Sequence, residues 1–141
     1  MLKVTCAIII HQNKILVNQR NTSSDHPLKW EFPGGKLKPG ETEEKCIVRE
    51  IREELEIEIE IRKPMVSLIH DYGFKKIELI PFLCVLKSGE LKLKEHHDFN
   101  WVTLKELEKI DFVAADRRLI QHSVNQEILK KYLRENMNDS R

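Results

Sequence analysis

The stretch Trp30–Ile57, WEFPGGKLKPGETEEKCIVREIREELEI, decides how the rest of the chain is read. It opens on Trp30-Glu31-Phe32, a short strand, and passes through a Pro33-Gly34-Gly35 turn and a Pro39-Gly40 loop into a helix dense in carboxylates. Thr42 stands at the N-cap, with Lys45 where a capping box would carry Glu. Cys46, Ile47, Ile51 and Leu55 recur at helical spacing and form a stripe to face a sheet. Glu50, Glu53 and Glu54 stand at i, i+3 and i+4 and share another face. Like charges so placed destabilise an isolated helix by about 0.2–0.5 kcal/mol per pair. Two explanations are open: a solvated charged face, or a hard cation such as Mg²⁺, which takes carboxylate oxygens together with substrate phosphates.

Outward from this stretch, 141 residues suit one domain, spanning 1–141, with a sizeable core. Hydrophobic residues make up 40% and charged residues 33%, an ordinary globular balance. A net charge of +1 gives no electrostatic case for long nucleic acid. Cys6, Cys46 and Cys84 are odd in number and sit in apolar runs, so they read as reduced core residues, neither a disulfide frame nor a zinc site. With no signal-peptide pattern and no apolar stretch of spanning length, the expectation is a cytoplasmic protein with no membrane partner.

Val4–Ile10 is a continuous β-branched run, read as a buried strand, and His11–Lys14 turns it into a second at Ile15–Val17. Asn21–Pro27 is a loop by composition. Ile57, Ile59 and Ile61 alternate with Glu58 and Glu60, a half-buried strand. Val66–Tyr72 and Ile77–Leu86 read as two more strands, and Trp101-Val102 as another. Thr103 caps a helix through Leu107, with Glu106 completing a capping box. A single last helix is expected from about Asp116 to Glu135, with Leu119, Ile120, Val124, Ile128, Leu129 and Leu133 as its apolar stripe, and a frayed end from Asn136 to Arg141. The pattern predicts an α/β (α+β) fold, a mixed sheet covered by helices in an α/β/α sandwich. No apolar stripe is left for an interface, so a monomer is expected, with a dimer open.

The spacing Gly35, five residues, Glu41, seven residues, Arg49-Glu50-Ile51-Arg52-Glu53-Glu54-Leu55-Glu56-Ile57 resembles the Nudix box, G-x5-E-x7-R-E-U-x-E-E-x-G-U, where U is aliphatic. One signature position departs: Glu56 stands where the box has Gly, which ends the helix in a left-handed turn. The resemblance extends over Val4 to about Leu119 and implies the Nudix sandwich fold. It also implies a Mg²⁺ site, with Mn²⁺ as substitute, made by Glu53 and Glu54 with Glu50 as ligand or base and the Gly34 carbonyl. Arg49, grouped with the catalytic residues, would pair with Glu41 to brace the loop on the helix. Gly35, also a candidate for substrate binding, is expected where backbone must approach closely or take positive φ.

Outside the box, Glu95 lies six residues before Trp101 and resembles the outer carboxylate of the MutT-type subgroup. His96 and His97 beside it read as an exposed pair, since nothing completes a zinc set. Arg20 resembles the subgroup's nucleotide-contacting cation, and Lys36 is a further candidate for substrate binding. Phe32, with Trp30, is a candidate wall for the base or simply core. Asp116, fifteen residues after Trp101, falls where 8-oxo-dGTP enzymes of this type carry a base-reading Asn, and Ala115-Asp116 resembles the pair in CTP pyrophosphohydrolases. An ionised Asp there accepts from a cytosine amino group and disfavours guanine O6 unless protonated; the bland reading is a helix N-cap. The resemblance thus implies a Mg²⁺-dependent nucleoside triphosphate pyrophosphohydrolase that clears oxidised or non-standard nucleotides. The alternatives are a catalytically silent Nudix-fold binding module and a hydrolase of dinucleotides or ADP-ribose.

Overall fold

A computed structural model describes residues 1–139, the last five of these by their backbone only. Three sheet strands set the frame: β1 (Leu2–His11), β2 (Lys14–Gln19) and β3 (Trp30–Glu31). β4 (Gly34–Lys36) follows, then helix α1 (Glu43–Leu55), β5 (Glu58–Pro64), β6 (Leu68–Asp71), β7 (Lys76–Ser88) and β8 (Asp98–Val102). Helices α2 (Leu104–Leu107), α3 (Ala114–Gln121) and α4 (Ser123–Asp139) complete the order.

The sheet runs β3-β2-β1-β7-β5, with β4 added to β1, β6 to β7 and β8 to β2. β1 and β7 pair in parallel, from Leu2↔Ile77 to Ile10↔Val85, and the other pairs are antiparallel. β1 is apolar throughout because both of its faces are covered. Ala7 and Ile9 meet Ile47, Ile51 and Leu55 of α1, while Cys6, Ile8 and Ile10 point to the layer of Leu119, Leu129 and Leu133. Each such buried aliphatic contributes roughly 1.5–3 kcal/mol, so the two layers, and not helix propensity, hold α1 and α4 in place. The α/β/α sandwich is therefore present. All three cysteines are buried and free.

Thr42 caps α1 by accepting from the Lys45 amide, and Thr103 with Glu106 forms the capping box of α2. Glu56 ends α1 in the left-handed conformation, φ 56 and ψ 34, with its amide donating to the Arg52 carbonyl.

The structure corrects several expectations. Gly34-Gly35 is a strand and no turn: a Cβ on Gly34 would stand 2.0 Å from the Thr5 carbonyl oxygen, so glycine there permits β4 to press on β1. The last helix is two, broken at His122, whose ψ of 126 is extended. Buried Asn125 causes the break by donating to the Leu119 and Val66 carbonyls and accepting from the Val66 amide. Its bond to the Leu119 carbonyl satisfies an orphan acceptor at the end of α3. Val124, assigned to the stripe, is 48% exposed. Asp116 is not an N-cap; that place is Val113, with no side-chain bond, and Asp116 lies inside the first turn of α3. α4 continues past Asn136, and the expected fraying at 140–141 lies outside the described residues.

Candidate active site

Helix α1 presents Glu54 to a cleft of about 380 Å³. Glu54 faces into it and Glu50 lies behind, its carboxyl packed on Gly35, where a Cβ would come within 2.3 Å of it. That contact gives the close-approach reason for glycine at Gly35. Burial, and then the charges of Glu50 and Glu95, push the Glu54 carboxyl up to about 9. Its Oε2 is buried with no hydrogen-bond partner, an expensive state for a carboxylate oxygen.

Arg49 braces this face. Its Nε and Nη2 donate to the two Glu41 oxygens at 2.6 and 2.9 Å, and its Nη1 donates to Glu50 at 2.9 Å and Glu53 at 3.1 Å. The guanidinium holds the Glu41 carboxyl down at about 2, and Arg49 itself is raised, first by Glu41. The fork–fork pair joins the loop after β4 to α1. Glu53 differs from Glu54: its side chain is 55% exposed and leans on Arg49 at the rim.

Across the cleft stand Arg20, Phe32, Lys36, Glu95 and Asp116, so residues far apart in sequence share one cavity with Gly34 and Glu54. Asp116 is buried, and its Oδ2 accepts from the Phe32 amide at 2.8 Å. Burial, then the charge of Glu31, lift its carboxyl to about 8 against the smaller pull of the Phe32 amide. Arg20 donates to Glu31 at 2.7 Å and to Asp25 at 2.5 Å, while its Nε is buried and unpaired. Phe32 lines the cleft and stacks at 5.0 Å on Phe112, whereas Trp30 packs into the core behind it.

Several cleft residues escaped the sequence reading. Tyr72 lines the wall, with its hydroxyl accepting from the Ala115 amide next to Asp116 and its ring 4.9 Å from His26. Glu31 sits between the two carboxyl groups, its charge raising both Asp116 and Glu54. Burial alone would raise the Glu31 carboxyl, but His96 and Arg20 outweigh it and hold it low. His96 corrects an expectation, for it turns inward to bond Glu31 at 2.9 Å, and only His97 is exposed. The available signal was a charged residue between two aromatics in a strand; nothing local marked His96 or Tyr72.

No three His, Cys, Asp or Glu side chains among the described residues form a ready-made metal cage. The donors nonetheless suit a hard cation: oxygen ligands only, one buried and unpartnered, in a carboxylate cluster whose mutual repulsion a cation relieves.

A family model described as the NUDIX domain matches residues 1–123. Curated relatives include the CTP pyrophosphohydrolase of Escherichia coli, 34% identical over 86% of this chain and 90% of that protein. The 8-oxo-dGTP diphosphatase of the same organism is 32% identical over 84% of this chain and 93% of that protein. Among solved structures, a MutT family protein from methicillin-resistant Staphylococcus aureus is 35% identical with a TM-score of 0.71, covering 89% of this chain and 96% of that one.

Proposed function

The chain belongs to the Nudix family and is a Nudix hydrolase, and from this premise we propose that it cleaves nucleoside triphosphates to the monophosphate and pyrophosphate in a Mg²⁺-dependent reaction. The substrates are oxidised or non-standard nucleotides, with 8-oxo-dGTP and (d)CTP derivatives foremost, and the role is to clear them from the nucleotide pool. The observation that carries this reading is the single cleft joining the Glu54 carboxylate cluster to the buried Asp116. Two relatives named for these two nucleotides support it.

Members of this family generally use a divalent metal, and here Glu50, Glu53, Glu54, Glu95 and the Gly34 carbonyl would hold it. Bound Mg²⁺ neutralises phosphate oxygens and makes water a better nucleophile. The chain's own residues supply the rest. Arg49 fixes Glu50 and Glu53 by direct bonds and Glu41 fixes Arg49, so the carboxylate face is set before substrate arrives. Water attacks phosphorus, the bond to the leaving oxygen breaks, and a carboxylate of this cluster takes the proton. Lys36 offers positive charge at the cleft for the phosphates, and Arg20 can do so in exchange for its bond to Asp25.

Asp116 and Phe32 read the base. A carboxyl lifted to about 8 keeps its proton near neutral pH, so it presents an O–H donor as well as an acceptor. That removes the objection to a guanine O6 and leaves cytosine served by the ionised form. The deciding experiment measures pyrophosphate release with Mg²⁺ from 8-oxo-dGTP, dCTP, 5-methyl-dCTP, dGTP and ADP-ribose. Turnover of an oxidised or cytidine triphosphate, with ADP-ribose untouched, is the expected outcome; ADP-ribose as the preferred substrate would sink the reading.

A further inference from the structure

The connection between β7 and β8, residues 89–97, carries Glu95 into the cleft. Its end is stitched to the tip of β2: the His97 amide donates to the Gln19 carbonyl at 2.8 Å, and Asn21 Nδ2 donates to the Glu95 carbonyl at 2.9 Å. These contacts fix the loop to β2 but not to the segment that holds Phe32 and Gly34. One side chain does that. The His96 side chain, flanked by exposed neighbours, is only 8% exposed, and its Nε2 lies 2.9 Å from Glu31 Oε2. Its Nδ1 lies 3.5 Å from the amide nitrogen of fully buried Asn18. Among the described residues no other side chain of this loop makes a hydrogen bond.

We propose that His96 is a positioning residue: by clamping Glu31 it fixes the loop carrying Glu95 to the strand leading into Phe32 and Gly34, so the metal-facing and base-facing walls are set as one piece. The inference rests on the reading of Glu95 as a metal-facing carboxylate. Glu31 is the natural anchor because it is held independently, by Arg20 at 2.7 Å and by the Asn18↔Glu31 strand pairing. Loss of His96 therefore leaves Glu31 in place and the fold intact, keeps the loop's bonds to Leu55, Gln19 and Asn21, and removes only its side-chain tie to Glu31. A Glu95 held only through its carbonyl has a looser side chain and offers the cation one ligand fewer in register, while the base wall of Phe32 and Asp116 is untouched. The loss should fall on metal affinity and turnover rather than on nucleotide affinity.

The test compares His96→Ala with His96→Gln, whose amide reaches Glu31 as a neutral donor. Measured quantities are kcat and KM for the best nucleotide, Mn²⁺ affinity by spin-resonance titration without nucleotide, and melting temperature. For His96→Ala, kcat should fall roughly 10- to 100-fold and Mn²⁺ should bind roughly tenfold more weakly, the usual effect of losing a group that orients a metal ligand. KM should change less than about threefold, and His96→Gln should recover most of both losses. Wild-type kcat and Mn²⁺ affinity in His96→Ala overturn the proposal. So does a His96→Gln protein as impaired as His96→Ala, a loss that appears only in KM, or an absence of Mn²⁺ binding in every form. If the wild-type protein turns over none of the nucleotides, the substrate reading fails, and the Mn²⁺ titration of the variants still decides the role of His96.

Discussion

The two walls of the cleft are built in contrasting ways. The α1 wall comes from one continuous stretch: Glu41, Arg49, Glu50, Glu53 and Glu54 lie within fourteen positions, and a single guanidinium locks Glu41, Glu50 and Glu53. The opposite wall is gathered from five places, with Arg20 at the end of β2, Phe32 after β3, Tyr72 after β6, Glu95 and His96 before β8, and Asp116 in α3. Chemistry common to a whole family can be kept in a short, self-braced segment. On the proposed reading, Glu95 of the opposite wall joins the metal-holding carboxylates, while Phe32 and Asp116 discriminate between substrates at distances that only the completed sheet sets.

The largest effect that tests this division is on the α1 wall. Glu54→Gln should cut kcat by roughly 100- to 1,000-fold or more, on the scale of losing a principal electrostatic element of a site, with every substrate affected alike. Glu53→Gln should also impair turnover of every substrate. The same Glu54→Gln change should make the metal-free protein more stable at high pH, because a buried carboxyl raised to about 9 resists ionisation. Selective loss for one base, seen in steady-state kinetics over the nucleotide panel, would break the comparison.

Next in size is Asp116→Asn on the far wall. It should change the preference between 8-oxo-dGTP and dCTP by roughly tenfold, within the 1–3 kcal/mol span of a base-edge contact, and leave the Mn²⁺ affinity alone. The wild-type preference should move toward dCTP as pH rises through about 8, where Asp116 loses its proton, and the Asn variant should lack that shift. Stability carries the same sign. The carboxyl goes from 3.8 when unfolded to about 8 when folded, so between those values the folded state binds more protons. Stability then falls as pH rises across that window, by up to about 1.4 kcal/mol per unit from this group. Melting curves from pH 5 to 9 should slope less for Asp116→Asn; an unchanged slope would rule out a buried protonated Asp116.

The smallest effect belongs to neither wall. Glu56 holds a left-handed conformation that costs a side-chain-bearing residue on the order of 1–2 kcal/mol. Glu56→Gly should raise stability by at most about 1 kcal/mol, because glycine returns part of the gain as backbone entropy, with kcat unchanged. A lower melting temperature would mean that the Glu56 side chain contributes something its geometry does not reveal.

What was legible in the sequence follows the same division. The Thr42 and Thr103 caps, the apolar stripe of α1, the Ile57–Ile61 alternation and the carboxylate spacing depend on neighbours within a few residues, and each is present. Gly34 reads as a turn because the reason for glycine, the Thr5 carbonyl of β1, lies twenty-nine positions away. The break at His122 hid for the same cause, since Asn125 acts through Val66. Asp116 looked like a cap in a local window, whereas its partner is the Phe32 amide across the cleft. His96 looked exposed between polar neighbours until the sheet supplied Glu31.

The parallel pairing of β1 with β7 has a kinetic consequence. Leu2 finds Ile77, and Ile10 finds Val85, only after about half of the chain has been looped out between them. Contacts of such sequence separation are slow to form, and during synthesis the first strand must wait, with its run of isoleucines uncovered, until the seventh leaves the ribosome. Helix α1 can wind early and meet the β1–β2 hairpin, but the sheet it rests on lacks β7 and β5 before then. The nascent chain should therefore acquire its reactive centre late and all at once, and fragments ending before Ser88 should be chaperone clients rather than small enzymes.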